Sequence, residues 1–154
     1  MLKPRFLLSL VAFTVLAGAA SAEEKLYEIK KTEPKVAVGA RGAVSVTIAA
    51  KSGWHLNAEA PISLALTAPA GVTVTKTKLG RSDLAASTEQ SARFDVPFEA
   101  SEAGAKVLAV EARFVLCQAQ ACKPVKETLS LNIDVAAAAP APTKAAKKPK
   151  AKKG

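Results

Sequence analysis

Residues 108–135 read LAVEARFVLCQAQACKPVKETLSLNIDV, and apolar side chains occupy every second position at both ends of this stretch. The first arm places them at Leu108, Val110, Ala112, Phe114 and Leu116. The second arm places them at Leu129, Leu131, Ile133 and Val135. A period of two is typical of strands with one buried face. The stretch therefore predicts a β-hairpin with arms 108–117 and 124–135, joined by a four-residue connection at 118–121.

The same alternation recurs upstream in short segments separated by Gly, Pro and Ser turn signals. Two examples are residues 44–48 and 94–98, and Pro97 within the second predicts an edge strand. Residues 78–91 lack a period, so we expect a long loop or an irregular crossing there. About seven to nine short strands predict an all-β fold, an immunoglobulin-like antiparallel β-sandwich covering residues 23–135. A closed barrel is the alternative.

The first 22 residues have the pattern of a secretory signal peptide. Lys3 and Arg5 precede an apolar run at 6–16, and Ala20-Ser21-Ala22 supplies a small-x-small cleavage pattern. The run is shorter than the roughly 20 residues that a membrane helix needs, although a retained anchor is the alternative. We predict cleavage after Ala22 and a periplasmic or secreted protein, in a compartment where disulfides form.

Residues 136–154 consist almost entirely of Ala, Pro and Lys, with no aromatic residue and no acid. Such a composition cannot bury enough apolar surface to offset the entropy of ordering, so a disordered tail is predicted. Its lysines would either be solvated or attach weakly to an anionic envelope surface.

The formal charge of +9 comes from the two ends of the chain. The sequence has 22 Lys and Arg against 13 Asp and Glu, but two of the cations lie in residues 1–22 and six in the last eleven. Residues 23–135 keep 14 cations and 13 acids, which makes the predicted domain nearly neutral. A basic groove for nucleic acid is not indicated, and no nucleic-acid partner is expected.

Cys117 and Cys122 are the two cysteines of the chain, at either end of the predicted connection. Opposed residues of paired strands have Cα atoms ~4.5–5.5 Å apart, which a disulfide tolerates, so an intramolecular bond is predicted. The bond closes a ring of six residues and would stabilise the fold by only roughly 2 kcal/mol. A surface bond beside a turn is also accessible to an attacking thiolate. The residues alone leave a structural bond and a redox pair equally open.

A metal site is the third interpretation of the cysteines. Cys117, Cys122 and the single His55 could hold a soft ion such as Cu(I), but no ligand cluster surrounds them in the sequence. We therefore predict no metal and no cofactor. His55 is expected to pack beside Trp54, and Trp54 to belong to the core. One histidine and scattered glycines give no basis for a Ser-His-Asp triad or a phosphate-binding loop.

Three segments resemble the N-terminal periplasmic domain of the thiol:disulfide interchange protein DsbD. They are Gly53-Trp54-His55-Leu56-Asn57, Ala60-Pro61, and Phe114-Val115-Leu116-Cys117 with the trailing Cys122-Lys123-Pro124. The likeness spans most of residues 23–135. It implies an immunoglobulin-like sandwich in which Cys117 and Cys122 are a catalytic pair that shuttles between dithiol and disulfide. By the same resemblance Cys122 forms the mixed disulfide with a partner, and Cys117 resolves it.

The resemblance also implies partners. A membrane reductase would supply electrons from a thioredoxin-like domain, and the sandwich would pass them to periplasmic thioredoxin-like or disulfide-isomerase proteins, including those of cytochrome c biogenesis. The alternative function is a non-catalytic binding module in which the Cys117–Cys122 bond is structural.

Three departures from the family pattern bear on this hypothesis. Residues 78–91 contain no Phe, Tyr or Trp, whereas an aromatic cap loop shields the sulfurs in the family. The cysteine spacing is one residue shorter than in the best-known member. No membrane helices follow the signal, so a stand-alone relative is expected rather than a complete relay.

Overall fold

Two β-sheets pack face to face in the computed structural model, which describes residues 25–138. The predicted signal peptide lies outside the described residues, as does the predicted tail from position 139 onward. The last described strand ends at Ala136.

The strands are numbered in chain order. They are β1 (Tyr27–Lys31), β2 (Lys35–Ala37), β3 (Arg41–Ala50), β4 (His55–Leu56), β5 (Ser63–Thr67), β6 (Val72–Val74), β7 (Lys78–Leu79), β8 (Leu84–Ser87), β9 (Ser91–Ala100), β10 (Gly104–Gln118) and β11 (Ala121–Ala136). One turn of 3-10 helix, Arg81–Asp83, precedes β8. Eleven strands exceed the predicted seven to nine because four of them, β2, β4, β6 and β7, have only two or three residues.

The first sheet has the order β1-β3-β9, and both β6 and β8 pair with the far side of β9. The second has the order β2-β11-β10-β5-β7, and β4 also pairs with β10. Neighbouring strands are antiparallel except β2, which runs parallel to β11 at residues 134–136. The described strands thus form an immunoglobulin-like sandwich, as predicted, rather than one closed barrel.

Apolar side chains at alternate strand positions fill the space between the sheets. The inward positions of β3, β9, β10 and β11 are fully or almost fully buried, including Val44, Val46, Ile48, Phe94, Val96, Phe98, Leu108, Val110, Phe114, Leu116, Leu131, Ile133 and Val135. Among the described residues no polar or charged side chain is buried. The core therefore gains from apolar burial without the cost of unpaired polar groups.

Pro97 does not lie on an edge strand. β9 has β3 on one side, and on the other side β8 pairs near residues 92–94 and β6 near 98–100. Ala100 donates its N–H to Ala40 on the β3 side, so with a period of two the nitrogen of Pro97 faces the gap between β8 and β6. An interior strand accepts the proline because no hydrogen bond of the ladder is lost there.

Residues 78–91 form an irregular crossing between the sheets, which is one of the two predicted alternatives, and they include two short paired strands that the sequence did not predict. β7 pairs with β5, the chain crosses through the 3-10 turn, and β8 joins β9 in the opposite sheet. Asp83 fixes the crossing by accepting hydrogen bonds from Lys76 Nζ (2.5 Å) and the backbone of Gly80 (3.0 Å). Strands of two and four residues are too short for their alternation to be read from the sequence.

Candidate functional site

The β10–β11 hairpin brings the two cysteines together at its tip. Cys117 lies opposite Cys122, and their sulfurs form the predicted disulfide, with a Cα–Cα distance of 4.0 Å. Gln118 also pairs with Ala121, so the turn contains only residues 119 and 120. The predicted four-residue connection is wrong because both strands continue one residue past the cysteines.

The two sulfurs lie in different environments. Cys117 is 5% exposed, whereas Cys122 is exposed. Leu116 and Cys117 are buried in succession, which breaks the alternation of β10, and Cys117 is not part of the apolar core cluster. An incoming thiolate can therefore reach Cys122, and the electron pair of the broken bond would pass to Cys117.

Strand β4 covers the second side of Cys117. His55 lies opposite Cys117 and Leu56 opposite Leu116, so His55, Cys117 and Cys122 form one row across three strands. Directly opposed residues project to the same face of a sheet. The turn before β4 requires Gly53, whose φ of 83° lies in the left-handed region that favours glycine. Trp54 is half-buried and packs against the core, in partial agreement with the prediction.

Asn57 is the functional candidate that the sequence did not single out. Its Nδ2 lies 3.3 Å from the Sγ of Cys117, and its Oδ1 accepts hydrogen bonds from the backbone N–H groups of Glu59 (2.8 Å) and Ala60 (3.0 Å). Its own backbone N–H donates to Val115 at 3.0 Å, one residue beyond the β4–β10 pairing. The amide was visible in the Gly-Trp-His segment, but no sequence signal connects it to a sulfur 60 positions away.

A groove of about 200 Å³ opens beside Asn57, lined among others by Arg81, Glu89, Phe114 and Val115. The turn after β8 forms one wall, because the carbonyl of Glu89 accepts a hydrogen bond from the N–H of Leu56 at 2.8 Å. Residues 78–91 thus lie against the strand that flanks Cys117, but they contribute no aromatic ring. The ring in the groove is Phe114, which belongs to the hairpin.

A hydrogen bond and an ion pair to Glu127 connect the part of β11 near Cys122 to residues 25–27. Tyr27 Oη donates to Glu127 Oε2 at 2.5 Å and Lys25 Nζ contacts Glu127 Oε1 at 2.6 Å. Burial, followed by the hydrogen bond to Glu127, raises the pKa of Tyr27 to about 12. The hydrogen bond from Lys25, followed by that from Tyr27, lowers the pKa of Glu127. These contacts tie β1 to the part of β11 that carries Cys122.

The structure offers neither a metal cluster nor a membrane helix in residues 25–138. No three His, Cys, Asp or Glu side chains there gather as a metal would require, and no helix there is long and apolar enough to cross a bilayer. The chemical group that the hairpin tip presents is the Cys117–Cys122 disulfide, which fits either a structural bond or a redox pair.

Comparisons with known proteins give distant structural similarities and no family. No family model and no curated protein sequence matches this chain. Domains 4 and 5 of the S-layer protein SbsC match with a TM-score of 0.40 at 12% identity, over 72% of this chain and 51% of theirs, so this chain spans about half their length. AggA, the major subunit of aggregative adherence fimbriae type I from Escherichia coli, gives 0.38 at 10% identity, over 71% and 94%. PapD-like domain 7 of human CEP192 gives 0.42 at 8% identity, over 82% and 97%.

Proposed function

We propose that this protein is an extracytoplasmic thiol–disulfide exchange domain that passes electrons to partner proteins through Cys117 and Cys122. The observation that carries the proposal is the asymmetry of the bond, which joins an exposed Cys122 to a buried Cys117 at a hairpin tip. Exchange requires one accessible sulfur to form the mixed disulfide and a second sulfur, close to it, to resolve it.

The small size of the ring supports the same proposal. The ring from Cys117 to Cys122 is short, so its chain-entropy contribution is only roughly 2 kcal/mol, and Cys122 lies on the exposed side of the hairpin tip. We therefore expect the disulfide to open and close while the sandwich stays folded. The resemblance of the two cysteine-flanking segments and of the Gly-Trp-His segment to the DsbD N-terminal domain favours this use.

In the proposed reaction the Cys122 thiolate attacks a disulfide sulfur of the partner, and the partner's other sulfur leaves as a thiolate. The Cys117 thiolate then attacks Cys122, which releases the second partner sulfur reduced and restores the Cys117–Cys122 bond. The partner gains two electrons and the domain loses two. The partners would be periplasmic thioredoxin-like or disulfide-isomerase proteins, with a membrane reductase as the electron source.

A trapping experiment tests the proposal. In the Cys117→Ala variant, Cys122 is free to attack a thioredoxin-like protein whose single nucleophilic cysteine carries a 2-nitro-5-thiobenzoate group. We expect release of the coloured thiolate and a stable mixed disulfide on a non-reducing gel. The matched control is Cys122→Ala, which leaves the buried Cys117 and should react at least tenfold more slowly.

The reduction potential distinguishes the proposal from the alternative of a binding module with a structural bond. An exchange-active pair should equilibrate with thioredoxin-like donors at a potential above about −300 mV, while structural bonds typically lie below it. If the potential lies below that value, and if both single-cysteine variants react equally slowly in the trapping experiment, the bond is structural.

A further inference from the structure

The amide of Asn57 points its N–H donors at the Cys117 sulfur in the only orientation that its hydrogen bonds allow. Oδ1 accepts the backbone N–H groups of Glu59 and Ala60 at 2.8 and 3.0 Å. A flipped amide would set its NH₂ group against two further donors, so Nδ2 must face the Sγ of Cys117, 3.3 Å away.

The turn that carries Asn57 is itself fixed in place. The N–H of Asn57 donates to Val115 on β10, and the guanidinium of Arg81 donates to the carbonyl oxygens of Asn57 (3.3 Å) and Ala60. Donors supported in this way need little reorganisation when charge develops on a nearby atom.

Charge does develop on Cys117 when the disulfide opens. A thiolate that attacks Cys122 forms one S–S bond and breaks another, and the electron pair of the broken bond goes to the Cys117 sulfur. Cys117 is only 5% exposed as a residue, and burial disfavours a charged group that has no partner. A hydrogen bond to a thiolate is stronger than one to a neutral disulfide sulfur, so an N–H donor here favours the opened state.

We propose that Asn57 is a catalytic residue that stabilises the departing Cys117 thiolate and so sets how readily the Cys117–Cys122 pair is reduced. This inference rests on the proposed function, because it concerns the reactivity of the same cysteine pair. The contact from Asn57, in the turn after β4, favours Cys117 as the leaving sulfur and Cys122 as the attacked one.

Two variants remove the donor while they preserve the turn. Asn57→Asp retains the oxygen that accepts both backbone N–H groups, and Asn57→Ser retains a hydroxyl that can cap the turn but is too short to reach the sulfur. In the full chain carrying Cys122→Ser, the absorbance at 240 nm gives the thiolate-to-thiol ratio of Cys117. We expect this ratio at fixed pH to fall about fivefold in Asn57→Ser, and further in Asn57→Asp, where a carboxylate replaces the donor.

The full chain with both cysteines gives a second readout. Dithiothreitol should reduce the disulfide several-fold more slowly in both Asn57 variants. Asn132→Asp is the matched control. Asn132 lies on β11 ten residues after Cys122 and donates to Glu33 at 2.8 Å, so this variant should leave both readouts unchanged. Circular dichroism verifies the fold of each variant.

Thiolate ratios and reduction rates within twofold of the parent in both folded Asn57 variants would overturn the inference. A lowered ratio with no mixed disulfide in the trapping experiment would instead overturn the proposed function and leave the role of Asn57 toward the sulfur standing. A trapped mixed disulfide with no change in the thiolate ratio would support the proposed function and overturn the role of Asn57.

Discussion

The two halves of β11 differ in side-chain burial and in strand pairing. In the inner half, residues 129–136, Leu131, Ile133 and Val135 are almost fully buried, and β2 pairs with the strand at 134–136. In the outer half, residues 121–128, no side chain is buried, and Val125 and Glu127 are the half-buried ones. The outer half carries Cys122.

This difference separates the part of the strand that stabilises the core from the part that carries Cys122. Apolar burial, the dominant favourable term in folding, is concentrated in the inner half. The outer half depends on its pairing with β10, on the disulfide and on the contacts with β1. We therefore expect that breaking the Cys117–Cys122 bond has little effect on the core.

The largest expected effect is a cavity in the inner half. Leu131→Ala should lower the free energy of unfolding by about 2–5 kcal/mol, because the side chain is completely buried between the sheets. Val125→Ala in the outer half should cost about 1 kcal/mol, since its side chain is only half-buried. Urea unfolding of both variants, with the disulfide intact, measures the contrast. Equal losses would contradict the division of β11 into two halves.

Opening the disulfide should have an intermediate effect. The double variant Cys117→Ala, Cys122→Ala should lose roughly 2 kcal/mol or less, because the closed ring is short. Amide hydrogen exchange should accelerate at residues 115–125 and stay slow at 129–135. Accelerated exchange throughout the inner half would show that the bond supports the core and would weaken the case for exchange.

The smallest effect should come from the hydrogen bond that ties β1 to the outer half. Tyr27→Phe keeps the edge-to-face contact with Phe114, at 5.1 Å between ring centres, but loses the bond to Glu127. We expect a loss of about 1 kcal/mol or less, since the pair is partly exposed to solvent. Urea unfolding at neutral pH measures it.

Tyr27 should also make the stability of the fold depend on pH at alkaline values. The pKa of Tyr27 is raised to about 12, chiefly by burial and then by Glu127, so folding favours the protonated phenol. Its stabilising contribution is complete below the ordinary value of about 10 and is lost as the pH rises toward 12. The parent should therefore lose more stability than Tyr27→Phe between pH 10 and 12. Equal losses of stability in the parent and in Tyr27→Phe over this pH range would contradict the contact between Tyr27 and Glu127.

The turn between the cysteines illustrates why part of the site could not be predicted. Two-residue hairpin turns are usually signalled by Asn-Gly or a similar pair, because the common types need a positive φ. Ala119 and Gln120 carry no such signal, and neither adopts a positive φ. A longer connection was therefore the better expectation, although the facing of Cys117 and Cys122 was predicted correctly.

Asn57 and residues 78–91 illustrate a second limit. β4 has two residues and β7 has two, so neither shows a period that sequence reasoning can use. Their positions are set by pairing with β10 and β5, which lie far away along the chain. Contacts of this kind, such as the one between Asn57 and Cys117, follow from the packed fold and leave no local trace.

Alternation of apolar and polar residues was enough to establish the sandwich, its core and the disulfide, because side-chain direction in a strand is a local property with a period of two. The exposure of each sulfur is not local. Cys117 is buried, opposite His55 on β4 and within reach of the Asn57 amide, while Cys122 is exposed on the outer half of β11. Those differences arise when distant strands meet, and they make one sulfur of the pair accessible and leave the other with a hydrogen-bond donor.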